Sequence, residues 1–200
     1  MMKHFALLVL SLSSVFAFRS IYRQQELLPS ACDVAGAEDQ YFEQVLDHFN
    51  AIDERTWQQR YWENLEHHVE GGPAFIMIGG EAEANPKWMT YGQWYKWAQE
   101  NGAAMFELEH RYYGQSQPTE DMSTDNMRYL SSRQGLEDLG HFMTAMNNKY
   151  NLTGSWITFG GSYPGSLSAW MNVKFPHLIA GSVSSSAPPT PSLTIMNILR

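Results

Sequence analysis

Residues 156–170 read WITFGGSYPGSLSAW: an apolar run, two glycines, a serine, and then a segment with helical spacing. The β-branched and aromatic character of 156–159 predicts a strand, and 166–175, closed by Pro176, predicts a helix. A serine at such a strand-to-helix junction is the arrangement of a nucleophile elbow. In that elbow a strained turn lifts the hydroxyl clear of the sheet, and the amides of the helix N-terminus face the site. Gly160 and Gly161 permit the turn. The literal pattern G-x-S-x-G is not met, because Pro164 takes the place of the second glycine and Gly165 comes one residue later. Proline is tolerated in a first helical turn, where its missing N–H would have no partner, so an elbow survives if φ there is near −65°. On spacing alone, an ordinary glycine-rich turn fits as well.

Working outward, 73–78 (PAFIMI) is a short apolar run bounded by Gly71-Gly72 and Gly79-Gly80, as a buried strand would be. Residues 103–108 (AAMFEL) predict a second strand and 178–183 another. Ser131 and Ser132 offer an N-cap to a segment with apolar residues at Leu136, Leu139, Phe142, Met143, Met146 and Tyr150. That spacing predicts an amphipathic helix, weakened by Gly135 and Gly140. Strands alternating with helices place the chain in the α/β class with a mostly parallel sheet.

Composition narrows what the chain can do. Two hundred residues, 44% hydrophobic, suffice for about one domain with a real core. A net charge of −8 without a clustered Lys/Arg patch excludes nucleic acid and anionic membrane surfaces as natural partners. Lys3 and His4 precede an apolar stretch over 5–15, and small residues follow, so residues 1–17 predict a signal peptide cleaved after Ala17. The run stops at Arg19, short of the roughly 20 apolar residues a membrane span needs. Residues 18–40 read as a leader or propeptide-like segment. It holds the sole cysteine, Cys32, which is either unpaired or bonded outside the chain. Asn151-Leu152-Thr153 is a glycosylation sequon in the polar stretch 147–155, where a surface loop is expected. Together these features place the mature chain in the secretory pathway, secreted or lysosomal.

The histidines offer no obvious base. Triads on hydrolase sheets of this kind run Ser, then Asp or Glu, then His along the chain, and His110 precedes the serine. It reads as structural, with Arg111 paired to a carboxylate and Tyr112 and Tyr113 packed beneath the site. Asp47-His48 and His67-His68 read as surface or core-edge residues. His177 follows Ser162 by only 15 residues (177 − 162). No His/Cys/Glu group has metal-ligand spacing, so neither a metal nor another cofactor is expected.

The segments QVLDHFN (44–50), TWQQRYWEN (56–64), EHRYYGQSQP (109–118), RYLSSRQGLEDL (128–139), GGSYPGSLSAW (160–170) and KFPHLIAGSVSSSAP (174–188) stand in an order that resembles the prolyl carboxypeptidase family of serine peptidases. That family also contains dipeptidyl peptidase II and the thymus-specific serine protease, and IGGE and SYPGSL are most similar to the latter branch. The resemblance implies an α/β-hydrolase over 41–187, with a helical cap beginning in 188–200, and Ser162 as the nucleophile. Backbone amides of Tyr163 and of the Gly79-Gly80-Glu81 loop, Gly80 above all, are the natural oxyanion donors, since such hydrolases take one from each place. Glu81 falls where a carboxylate near the substrate pocket could hold a free amino terminus. The implied activity is a serine exopeptidase cleaving peptides at proline-containing bonds by acyl transfer. Carboxypeptidase or aminodipeptidase action and a homodimer stay open. So do an esterase or lipase on the same fold and a non-catalytic relic. Only 38 residues follow Ser162 (200 − 162), too few for the remaining strands, the Asp and the His. The chain is therefore expected to be a fragment that is inactive by itself.

Overall fold

A computed structural model describes residues 38–188. The expected signal peptide, Cys32 and the expected cap segment after Pro188 lie outside the described residues. Strands β1 (Gln40–Val45), β2 (Thr56–Asn64), β3 (Ala74–Ile78), β4 (Ala104–Leu108), β5 (Trp156–Gly161) and β6 (Ile179–Ser185) form one sheet in the order β1-β2-β4-β3-β5-β6. The first two pairings, β1 with β2 and β2 with β4, are antiparallel. From β4 through β3 and β5 to β6 every pairing is parallel.

Helices cover both faces of the parallel part, and its strands are accordingly apolar on both sides. On one face α3 (Ser132–Tyr150) and α4 (Tyr163–Lys174) bury Leu139, Phe142, Met143, Leu167 and Met171 against Ile76, Phe106 and Trp156. On the other, a 3₁₀ turn (Pro86–Met89) and α1 (Gln93–Asn101) bury Met89, Trp94 and Ala98 against Trp62, Phe75, Met105 and Phe159. A short α2 (Thr124–Met127) precedes α3. Gly140, which helix propensity alone disfavours, lies where a Cβ would meet the Phe175 ring at 2.8 Å. The glycine lets α3 and the end of α4 approach.

The expected strands at 73–78, 103–108 and 178–183 appear within a few residues of their predicted ends. Three local readings change. The helix after Ser162 starts at Tyr163, one turn earlier than the spacing suggests, because the turn is completed within Ser162 itself. α3 runs to Tyr150, so the polar stretch near the sequon is loop only from Asn151, an exposed left-handed cap with φ 52°. β1, β2 and α1 add elements that apolar periodicity did not mark. Among the described residues no helix is long and apolar enough to cross a membrane, and no group of three or more His, Cys, Asp or Glu could hold a metal ion.

Candidate active site

Ser162 sits at the C-terminal edge of the sheet between β5 and α4, with φ 60° and ψ −128°. A non-glycine residue in that region is strained by about 1–3 kcal/mol, and such strain persists only where the surroundings enforce it. Here they do. The Ser162 amide donates to the Ser185 carbonyl at 2.9 Å, and the Ser162 carbonyl accepts from the Ser166 amide at 3.1 Å as the first bond of α4.

The shifted glycine spacing has a direct explanation. A Cβ at Gly160 would lie 2.2 Å from the Pro164 carbonyl oxygen, and one at Gly165 would meet Ala187 Cβ at 2.8 Å and the Gly160 oxygen at 3.0 Å. Gly160 and Gly165 thus let helix and strand touch. Pro164 occupies the first turn of α4, where its missing N–H costs nothing. Its ring fills the space beside Gly80, at which a Cβ would come within 2.5 Å of Pro164 Cγ. The structure thereby brings the loop after β3 against the elbow, with Gly80 and Tyr163 on either side of Pro164.

Serine hydroxyls fix α4 to the strands beneath it. Thr158 Oγ1 lies 2.8 Å from both Ser168 Oγ and Ser182 Oγ, and Ser184 Oγ donates to the Gly165 carbonyl at 2.8 Å. These residues account for much of the serine content of the two C-terminal motifs. Ser162 Oγ itself has no hydrogen-bond partner among the described residues.

Tyr163 is held by its side chain. Its hydroxyl is 3.0 Å from His110 Nε2 and 3.1 Å from Ser132 Oγ. His110 Nδ1 is 2.8 Å from the Arg111 carbonyl, which can only accept, so Nδ1 carries the proton and Nε2 accepts from Tyr163. Burial pushes His110 below its ordinary pKa and Tyr163 above its own, keeping both neutral. His110 is thus structural, as its place in the chain suggests, and Gly135 leaves room for it, a Cβ there lying 3.0 Å from His110 Nε2. Ser131 caps α3 by accepting from the Gln134 amide, which leaves Ser132 free for Tyr163.

Glu81 is exposed at the mouth of the site, and its charge raises the pKa of Tyr113 and Tyr163, in each case after burial. Arg111 is paired with a carboxylate as expected. Its Nε and one terminal nitrogen each lie 2.6 Å from Asp138, fully inside the protein. Burial alone would raise Asp138, but the charge and hydrogen bonds of Arg111, with the His48 hydrogen bond, hold it below its ordinary value. His48 sits at the core edge, 2.8 Å from Asp138, while His177 is exposed. A cavity of about 10 Å³ beside His110 and Asp138 has room for about one water and is too small for a peptide.

Sequence reasoning missed Glu109 and Arg60. The Glu109 carboxylate is buried and accepts from Arg60, Ser116 Oγ and the amides of Ala84, Gln115 and Ser116. Arg60 also reaches Asp39 and Glu83. The only signal was the EHRYYGQS segment as a block.

With the elbow in place, residues 44–195 match the family described as Serine carboxypeptidase S28. The chain belongs to that family. It is 45% identical over 151 residues to the human thymus-specific serine protease, covering 74% of this chain and 29% of the relative. It is 35% identical over 157 residues to prolyl carboxy peptidase like protein 5 of Caenorhabditis elegans, covering 76% and 31%. The chain thus spans under a third of the length of these relatives. In three dimensions it is similar to the thioesterase domain from the curacin biosynthetic pathway, with a TM-score of 0.54 at 16% identity, covering 82% of this chain and 50% of that one. The fold is the N-terminal portion of an α/β-hydrolase, as the S28 resemblance implied.

Proposed function

We propose that this S28 chain carries the nucleophile and oxyanion site of a secreted or lysosomal serine exopeptidase that cleaves peptides at proline-containing bonds. The observation that supports it is the strained Ser162 turn, whose φ of 60° places the hydroxyl at the N-terminus of α4 with no hydrogen-bond partner among the described residues. Ser162 Oγ attacks the scissile carbonyl, and the Tyr163 and Gly80 amides hold the oxyanion that forms. The amine departs with a proton, and water then releases the acyl group from Ser162. Glu81, exposed beside Tyr113 and Tyr163, offers its carboxylate to the free amino terminus of the peptide. The proline preference rests on kinship with prolyl carboxy peptidase like proteins. Glycosylation at the exposed Asn151 and cleavage of the signal after Ala17 complete the reading.

Proton shuttling needs a His oriented by a carboxylate, and the 38 residues after Ser162 contain no Asp or Glu. The test is made on the full-length secreted product of the gene. It should react with a fluorophosphonate at Ser162 and hydrolyse Pro-containing dipeptide amides or blocked peptides in preference to short acyl esters. Ser162→Ala should abolish both while leaving the melting curve unchanged. Substantial peptidase activity in Ser162→Ala would sink the assignment, and a preference for acyl esters would make the protein an esterase.

A further inference from the structure

We infer that Glu109 is a positioning residue for the oxyanion site, a single buried carboxylate that fixes both the loop after β3, which carries Gly80, and the loop that carries Tyr113. The inference rests on the proposal that the Gly80 amide is an oxyanion donor, and it concerns what holds that amide in place.

The loop after β3 has little regular structure of its own. It is attached to β4 at both ends. At its start the Gly79 amide donates to the Leu108 carbonyl at 2.9 Å, and the backbones run so close that a Cβ at Gly79 would lie 2.7 Å from the same oxygen. At its end the Ala84 amide donates to Glu109 Oε1 at 3.1 Å and the Asn85 amide to Glu107 Oε1 at 3.3 Å. Gly80 and Glu81 lie between these attachments.

The second loop, carrying Tyr113, closes on the other oxygen. Glu109 Oε2 accepts from the Gln115 amide at 3.0 Å, the Ser116 amide at 3.0 Å and Ser116 Oγ at 2.8 Å. Gly114, with φ 53°, leaves the carboxylate its space, since a Cβ there would fall 1.9 Å from Oε1. Arg60 supplies the countercharge from β2, with Nε 3.2 Å from Oε2 and a terminal nitrogen 2.7 Å from Oε1. A neutral side chain of the same shape cannot serve all of these donors, because an amide would turn its own N–H₂ towards one set of them. The two loops therefore depend on one ionised carboxylate for their spacing.

A donor displaced from the oxyanion by a fraction of an ångström loses most of its value in the transition state while ground-state binding barely changes. On the full-length secreted product, Glu109→Gln should lower kcat by about 10²-fold, comparable to losing one oxyanion donor, with KM altered by less than about threefold. Hydrogen exchange should accelerate by at least about tenfold in 80–85 and 113–116 and stay unchanged in α3. Ser116→Ala, which removes one of the five donor groups and leaves the charge pair, should show a smaller change of the same kind. It also serves if Glu109→Gln does not fold. Faster loop exchange with unchanged kcat would make Glu109 merely structural, and unchanged exchange in both variants would overturn the inference outright. If the wild-type protein neither labels nor hydrolyses, the peptidase reading fails, and the exchange data still decide whether Glu109 holds both loops.

Discussion

Two buried arginine–carboxylate pairs flank the end of β4, and they are built for different ends. Arg60–Glu109 lies on the side of α1, where Arg60 also reaches Asp39 and Glu83, whose side chains are 46% and 60% exposed. Arg111–Asp138 lies on the side of α3 with exposures of 0% and 2%, and Arg111 further donates to the carbonyls of Leu46 and Tyr129. The first pair gathers loops, the second joins a strand end to a helix and to the turn after β1. A buried pair is weak evidence of net stability, but removing one partner is costly because the other charge is stranded. How far each arginine can find a substitute partner should set the difference.

The largest effect is therefore expected at Asp138. Asp138→Ala strands a fully buried guanidinium and should cost about 3–5 kcal/mol in chemical denaturation of the protein. Glu109→Gln leaves Arg60 with two solvent-accessible carboxylates and should cost about 1–3 kcal/mol, with its main consequence in the loops. Equal losses would erase the distinction. Since the folded Asp138 has a lowered pKa, its contribution is present above the unfolded carboxylate value and is lost as pH falls through the folded one.

A third carboxyl, Glu107, sharpens the contrast because it has no cationic partner of its own. It is buried on β4 opposite Trp62 of β2, and its Oε2 has no hydrogen-bond partner among the described residues. Burial raises its pKa well above the ordinary 4.5, and the Glu109 charge adds to this, while the Asn85 amide and the Arg60 charge oppose it. A raised folded pKa means that stability is fully present below the unfolded value and declines as pH rises through the folded one. The protein should thus be most stable in a mildly acidic window, above the Asp138 transition and below that of Glu107. Glu107→Gln should flatten the alkaline side. Melting temperatures of wild type and variant from pH 4.5 to 8 check this, and a difference independent of pH would refute it.

The contrast also shows what the sequence could reveal. β3 and β4 were legible because strands buried on both faces are continuous apolar runs, whereas the glycine spacing around Ser162 fitted an ordinary turn as well and only the order of the six motifs favoured the elbow. β2 was opaque. Its buried Gln59 and Arg60 look like surface residues until their partners arrive from Glu109, 49 and 50 residues away. Arg111 could be expected to need a carboxylate, since a buried guanidinium requires one, but not to find it at Asp138 on α3. Glu109 was invisible for the same reason. Its role exists only once residues 60, 84, 115 and 116 meet around it.

The smallest effect is expected where a pair of similar geometry is left in water. Lys174 at the end of α4 lies 2.6 Å from Glu137 on α3, with side-chain exposures of 34% and 26%. The distance matches that of Arg111–Asp138, so geometry alone would rank them together. Solvent screens the exposed pair, and ordering two long side chains consumes much of the Coulomb gain, so exposed pairs contribute about 0–1 kcal/mol. Neither charge is stranded when the other is removed, because water takes its place. Glu137→Gln should therefore shift the denaturation midpoint by no more than that amount, and raising the salt concentration should narrow the gap to wild type. A loss approaching that of Asp138→Ala would mean that distance, rather than burial, governs the strength of these pairs.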